Sequence, residues 1–191
     1  NGVSVVLADG QRMPFDQIVV CAGAASAQLL RPLGLNLPLQ PLYGHSISAA
    51  VREPLDAPVS AVLDARHQVS VARLGQRVRV AGGALLGGHR AKPSADELKR
   101  LYRVLMDWFP GAARLGGPKG SVQEWFGAQI ALPDGMPLVG QSTAPRIWLN
   151  LGHGASGWSM ACGSARALAD QIGDRAPDID MSRFSPMRLK D

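Results

Sequence analysis

Apolar and polar positions alternate in two different ways along the chain, and the change of rhythm divides it. Near the start, Val3-Ser4-Val5-Val6-Leu7 reads as a strand and Ala8-Asp9-Gly10-Gln11 as a turn, before a short return into Phe15-Asp16-Gln17-Ile18-Val19-Val20-Cys21. Asp-Gly at the turn predicts a hairpin. The unbroken apolar run Ile18 to Cys21 predicts a strand covered on both faces. Ala22-Gly23-Ala24-Ala25-Ser26 then opens a short helix over Ala25 to Leu30, which stops before Pro32 and Gly34.

From Leu37 the texture changes. Pro38-Leu39-Gln40-Pro41-Leu42-Tyr43-Gly44 is too rich in proline for a central strand and predicts a segment crossing between lobes. His45 to Val51 predicts a strand, and Val59 to Leu63, His67 to Arg73 and Arg77 to Ala81 predict an antiparallel meander. Gly82-Gly83 and Gly87-Gly88 bracket Ala84-Leu85-Leu86 and permit a bulge. Ser94-Ala95-Asp96-Glu97 has the form of a capping box, and Leu98, Leu101, Tyr102, Leu105, Trp108 and Phe109 form one apolar stripe. Together they predict a helix closed by Pro110-Gly111, its stripe packed on a sheet. Val122 to Ile130 predicts another strand, with Trp125 in the core, followed by a turn at Pro133-Asp134-Gly135.

The strand–helix texture then returns. Arg146 to Leu151, including a core Trp148, predicts a strand; Gly152 to Gly157 a glycine-rich turn; and the residues to Ile172 a helix, before an irregular tail. Chain ends that share one texture around a different middle predict an α+β chain. An α/β domain, residues 1–37 and 146–191, is interrupted by residues 38–145, an antiparallel or mixed sheet with a covering helix.

Composition narrows the function classes. With 191 residues, 46% of them hydrophobic, the chain can bury a core, and 22 glycines with 14 prolines imply many turns. Twenty basic residues against fifteen acidic ones leave a formal charge of +5. The basic residues are scattered, apart from a loose group at Arg183, Arg188 and Lys190 read as solvated surface, so no nucleic-acid face is expected. Cys21 and Cys162 stand in apolar company without metal-ligand spacing, which predicts buried, reduced thiols and a cytoplasmic location. No run is long and apolar enough for a membrane span. The start at Asn1, in mid-strand and without Met, predicts a fragment, so peripheral membrane attachment of the parent stays open.

The chemistry concentrates in the returning stretch. Gly152, Gly154 and Gly157 let the backbone take positive φ and approach a ligand without a Cβ in the way. No Asp or Glu occurs between Trp148 and Leu168, so the positive end of the last helix is left for an anionic or electron-rich partner. The spacing matches neither a nucleotide-binding Gly-x-Gly-x-x-Gly nor a P-loop.

Four ordered segments carry a resemblance that covers nearly all 191 residues: Asp16 to Ser26, Pro41 to Gly44, Leu132 to Gly140 and Asn150 to Trp158. Together they resemble the FAD-dependent amine oxidoreductases of the D-amino-acid oxidase group, in particular its D-amino-acid dehydrogenase small-subunit branch. The resemblance implies that Ala22 and Gly23 lie near the FAD pyrophosphate. It also implies that Gly152, His153, Gly154, Ala155, Ser156, Gly157 and Trp158 line the cofactor, with Gly154 to Trp158 under the flavin pyrimidine and the last helix pointing its N-terminus at the ring. Such an end stabilises the anion of reduced flavin, and hydride transfer from a D-amino acid or related amine requires no protein nucleophile.

Two departures from the family pattern matter. The Gly-x-Gly-x-x-Gly unit that begins such proteins is absent, so the partner expected for this chain is the missing N-terminal half of the FAD domain, without which FAD binds weakly or not at all. The family also places an arginine before the Pro-Asp-Gly turn to hold the substrate carboxylate, where this chain has Gln129. Either Arg52, Arg73 or Arg90 supplies the cation, or the substrate is not a simple α-amino acid. Tyr43 and His45 are candidates to face the substrate, against a packed tyrosine and a surface histidine, while His67 and His89 read as exposed. A glycine or sarcosine oxidase-like activity and a stand-alone, non-catalytic binding module remain the alternatives.

Overall fold

A computed structural model describes residues 2–87, 92–118 and 121–189. The chain is α+β and divides into two compact units, Asn1–Pro41 with Gln129–Asp191, and Leu42–Ala128.

The first unit opens with the expected hairpin, β1 (Val3–Val6) against β2 (Arg12–Phe15), with Val5 opposite Met13. Gly10 at φ +85° and the Asp9 carboxylate, which accepts the Gln11 N–H at 2.9 Å, close its turn. β3 (Ile18–Val20) leads through a 3-10 turn at Gly23–Ala25 into α1 (Ser26–Leu30), which tightens to 3-10 at Arg31–Leu33. β3 is not covered on both faces: Val19 is exposed, while Ile18 and Val20 pack on the core. It is the edge of a three-stranded sheet in the order β3-β10-β9, completed by β9 (Leu138–Gln141) and β10 (Ile147–Leu151). β10 runs parallel to β3 and antiparallel to β9. Leu30, Leu132, Leu138, Ile147, Leu149 and Leu151 form this unit's core.

In the second unit, β4 (Gln40–Ala50), β5 (Val62–Asp64), β6 (Val69–Leu74), β7 (Arg77–Leu86) and β8 (Gln123–Ala131) form one sheet in the order β5-β6-β7-β4-β8. β4 and β8 carry the chain across the unit boundaries at 41/42 and 128/129. The expected bulge is present: Tyr43 pairs with Leu85 but His45 with Gly82, across a Gly83 at φ +80°. Gly82 has no room for a side chain, since a Cβ would come within 2.6 Å of the Gln68 carbonyl oxygen. The helix α2 (Ala95–Trp108) lays Leu98, Leu101, Val104 and Leu105 on Ile47, Val69, Val71, Val78 and Val80.

Several sequence expectations need correction. Trp108 leaves the stripe, because its indole N–H donates to Asp64 at 3.0 Å on an exposed edge, and Val104 takes the core position. Trp125 is 54% exposed and lies over Gly127, the one position on its strand with no side chain to push it away. Trp148 is half-buried, its indole N–H held by Gln17. Cys21 and Cys162 are free and exposed: Cys21 follows the edge strand, and Cys162 lies off the helix face that buries Ser164, Ala167 and Leu168. Among the described residues, no helix is long and apolar enough to cross a membrane.

Candidate functional site

The two glycine turns read from the sequence lie at one edge of one sheet. β3 and β10 are adjacent and parallel, with Ile18 opposite Ile147 and Val20 opposite Leu149, so both strands deliver their turns at the same, C-terminal, edge. That edge is where open parallel sheets place ligands. Ala22 and Gly23, at φ +52°, follow β3; Gly152, at φ +82°, and Gly154, at φ +55°, follow β10. Gly152 is obligatory twice over, since a Cβ there would overlap Leu132 Cδ1. Gly157 differs from expectation: at φ −55° it is already helical, and the turn spends its two positive-φ residues before it.

Beyond the turn, Gly154–Ser156 form a 3-10 lead-in to α3 (Gly157–Ile172). Neither the lead-in nor α3 has a side-chain cap, and neither carries an acidic residue in its first turn. The positive end of the helix is therefore uncompensated by its own side chains. Ala155 and Ser156 are exposed, and Trp158 is 96% exposed.

Among the described residues, four polar atoms of the segments around these turns are buried without a hydrogen-bond partner: Ser26 Oγ, Gln129 Oε1, Asn150 Oδ1 and His153 Nε2. Folded proteins rarely leave such atoms unpaired, and an ordered water or a ligand can supply the missing bonds. Ala131 on β8 forms an antiparallel bridge with His153, and Gln129, two residues earlier, shares Ala131's face of the strand. Burial holds the His153 imidazole below its ordinary pKa, favouring the neutral ring.

The Pro133-Asp134-Gly135 turn that ends β8 is fixed by a residue that the sequence did not reveal. Arg188 Nε and Nη2 donate to the Asp134 carboxylate at 2.9 and 3.4 Å. Nη2 also donates to the Met136 carbonyl at 2.7 Å, and Nη1 to the carbonyls of Pro137 and Ser185, each at 3.2 Å. All five guanidinium N–H groups are thus used, and the Asp134 carboxyl is held below the usual carboxylate range, chiefly by Arg188. Far from being solvated surface, the Arg188 side chain is 17% exposed. Arg183 is exposed, and Lys190 lies outside the described residues.

The remaining candidates belong to the second unit. His45 is 2% exposed rather than a surface residue, and its Nε2 accepts the Ser94 backbone N–H at 3.0 Å, which places the proton of the neutral ring on Nδ1. Ser94 Oγ in turn accepts the Glu97 N–H at 3.5 Å, while the Glu97 carboxylate pairs with Arg100. The capping box is therefore half formed, with His45 in the role expected of Glu97. Tyr43 is buried, and its ring stacks on Phe126 at 6.3 Å; the His45 ring stacks on the same phenylalanine at 6.1 Å. Of the alternative cations, Arg73 donates to Gly75 in its own turn and Arg52 is exposed; Arg90 and His89 lie outside the described residues. His67 is half-buried and paired with Asp64 at 2.8 Å, so it is not a bare surface residue.

Comparison with known proteins accords with this geometry. A family model described as FAD dependent oxidoreductase (DAO) matches residues 1–171. The D-amino acid dehydrogenase of Xanthobacter autotrophicus is 39% identical over 184 residues, covering 96% of this chain and 43% of that protein. That of Methylobacterium nodulans is 42% identical over 179 residues, covering 94% and 42%. The chain thus spans less than half the length of these relatives. Among solved structures, glycine oxidase from Geobacillus kaustophilus superimposes with a TM-score of 0.83 at 20% identity, over 98% of this chain and 49% of that one. Iminodiacetate oxidase from Chelativorans sp. gives 0.73 at 24% identity, over 94% and 48%. At these identities the structures speak to the fold. The match over residues 1–171 shows that the chain belongs to the FAD-dependent oxidoreductase (DAO) family.

Proposed function

We propose that this chain is part of an FAD-dependent oxidoreductase that oxidises the CH–NH bond of D-amino acids or related amines. One observation carries the proposal: the glycine turns after β3 and β10 stand at the same edge of a parallel strand pair, beside an uncapped, acid-free α3 and buried polar atoms without partners. Those features fit a large ligand with an anionic group and a polar heterocycle.

Ala22 and Gly23 would hold the pyrophosphate end of FAD, and Gly154 to Trp158 would pass under its pyrimidine, with Gly152 and His153 leading into them. FAD, when bound, supplies the two-electron acceptor for substrate hydride. The residues of this chain exclude water, orient the substrate and favour negative charge at the α3 end. His153 is suited to hydrogen bonding as a neutral ring, and Gln129 to contacting the substrate. The outward side of α3 exposes the uncharged Trp158, Ala161, Cys162 and Ala165, with Arg166 at its margin. It suits burial against the remaining half of the FAD domain, the partner of this chain in the proposed enzyme.

The test uses the full-length protein. Purification should yield stoichiometric flavin by absorbance, and anaerobic addition of D-amino acids, glycine, sarcosine and simple amines in turn should bleach it with at least one of them. Full-length protein without flavin, or flavin that none of these reduces, sinks the proposal. Residues 1–191 alone should bind FAD weakly; stoichiometric flavin in that fragment would show that the second half of the domain is not needed.

A further inference from the structure

The polar pair next to the β10 turn has a chemical preference of its own. Gln129 Oε1 and His153 Nε2 are both buried and both without a partner. The bridge between Ala131 and His153 puts them beside one seam, with Gln129 on the same strand face as Ala131. From Trp125 to Leu132 and from Ile147 to Ala165 there is no charged side chain. Arg188, the arginine fastened to the turn that ends β8, has every N–H occupied by Asp134 and three carbonyls and has none left for a ligand.

A carboxylate offers acceptors only, so it leaves Gln129 Oε1 unsatisfied and, beside a neutral imidazole, loses its water without gaining a counter-charge. A carboxamide carries an N–H donor beside a C=O acceptor. It can donate to Gln129 Oε1 and accept from the His153 ring, satisfying both orphaned atoms without burying charge. We infer that Gln129 and His153 form a neutral subsite for a carboxamide group, so that the substrate is an amine bearing an amide where a D-amino acid bears its carboxylate. The inference rests on the amine-oxidising function proposed above, and it changes the substrate class.

The test is binding of two isosteric probes that lack an oxidisable α-hydrogen, benzamide and benzoate, to full-length protein by titration calorimetry at pH 7.5. Flavin absorbance is read in the same samples. Benzamide should bind about tenfold more tightly than benzoate, as one buried hydrogen bond implies. Gln129→Arg should invert the preference. Gln129→Met, nearly isosteric and without the acceptor, should lose about tenfold for benzamide and leave benzoate within about twofold. Circular dichroism checks that each variant is folded. Benzoate binding as well as or better than benzamide overturns the inference, as does binding of neither probe, or a ratio that both folded variants leave unchanged. Failure of the redox function shows separately, as missing or unreduced flavin with the amide-to-carboxylate ratio still measured.

Discussion

The two long helices begin in opposite ways. α2 starts closed: Ser94 Oγ accepts the Glu97 N–H, Asp96 and Glu97 lie in the first turn, and the Ser94 N–H is taken by His45. α3 starts open, with no cap, no acid and the unpartnered His153 Nε2 just before it. A helix whose first turn is satisfied internally contributes stability to its own unit and has little left for a ligand. One whose first turn is left open is less stable than it could be, and the difference is returned when an anion or an electron-rich ring binds there.

Breaking the closed side should have the largest effect and touch only stability. Leu101→Ala, at a fully buried position under α2, should cost about 3 kcal/mol in chemical denaturation. Folded full-length protein should keep its flavin; losing it would show that the two helices do not divide the tasks in this way. On the open side, Gly152→Ala forces a positive φ on a residue with a Cβ and overlaps Leu132. It should cost about 2 kcal/mol and, unlike Leu101→Ala, lower the flavin content of folded protein.

Arg188→Gln should cost about 1–2 kcal/mol, since the Asp134 turn keeps partial solvation. Thermal melts of both variants will show whether the tail is as important to the turn as the glycine is. Ala155→Asp sharpens the contrast most directly. An acid placed before α3 should raise the stability of the chain by about 0.5 kcal/mol yet weaken FAD binding to the full-length protein. A variant that is both stabilised and still saturated with flavin would remove α3 from the site.

The smallest effect is a pH dependence. The folded-state pKa of His153 is lowered by burial, so between that value and the ordinary one of about 6.5 the unfolded chain binds more protons. Stability should therefore be complete above about pH 6.5 and fall as pH drops below it. His153→Asn should flatten the slope in denaturation midpoints between pH 7.5 and 5.5.

Much of the fold was legible from local rules. The Asp9-Gly10 turn, the Ser94 cap, the meander after Leu63 and the β10–turn–α3 unit follow from turn chemistry and periodicity, which act over a few residues. What misled was solvent contact. Trp108 and Trp125 look like core by composition, but one finds Asp64, forty-four residues away, and the other lies over Gly127, two residues on along its own strand. Of the site, the glycines and the acid-free helix start could be read, because both are statements about a single segment. Ser26 could not, as a serine opening a short helix reads as an ordinary cap.

By itself, then, the sequence determined where the glycine turns fall and which helix begins without an acid. Each is a matter of residue type at a position. Tertiary structure decided that β3 and β10 lie parallel and adjacent, so that turns more than a hundred residues apart share one edge. It also turned Arg188 from a surface charge into a five-bond clamp, made His45 the acceptor for α2, and left Gln129 Oε1 and His153 Nε2 buried without a partner. These depend on which strands pair and which atoms lose water, and no local pattern of residues encodes either.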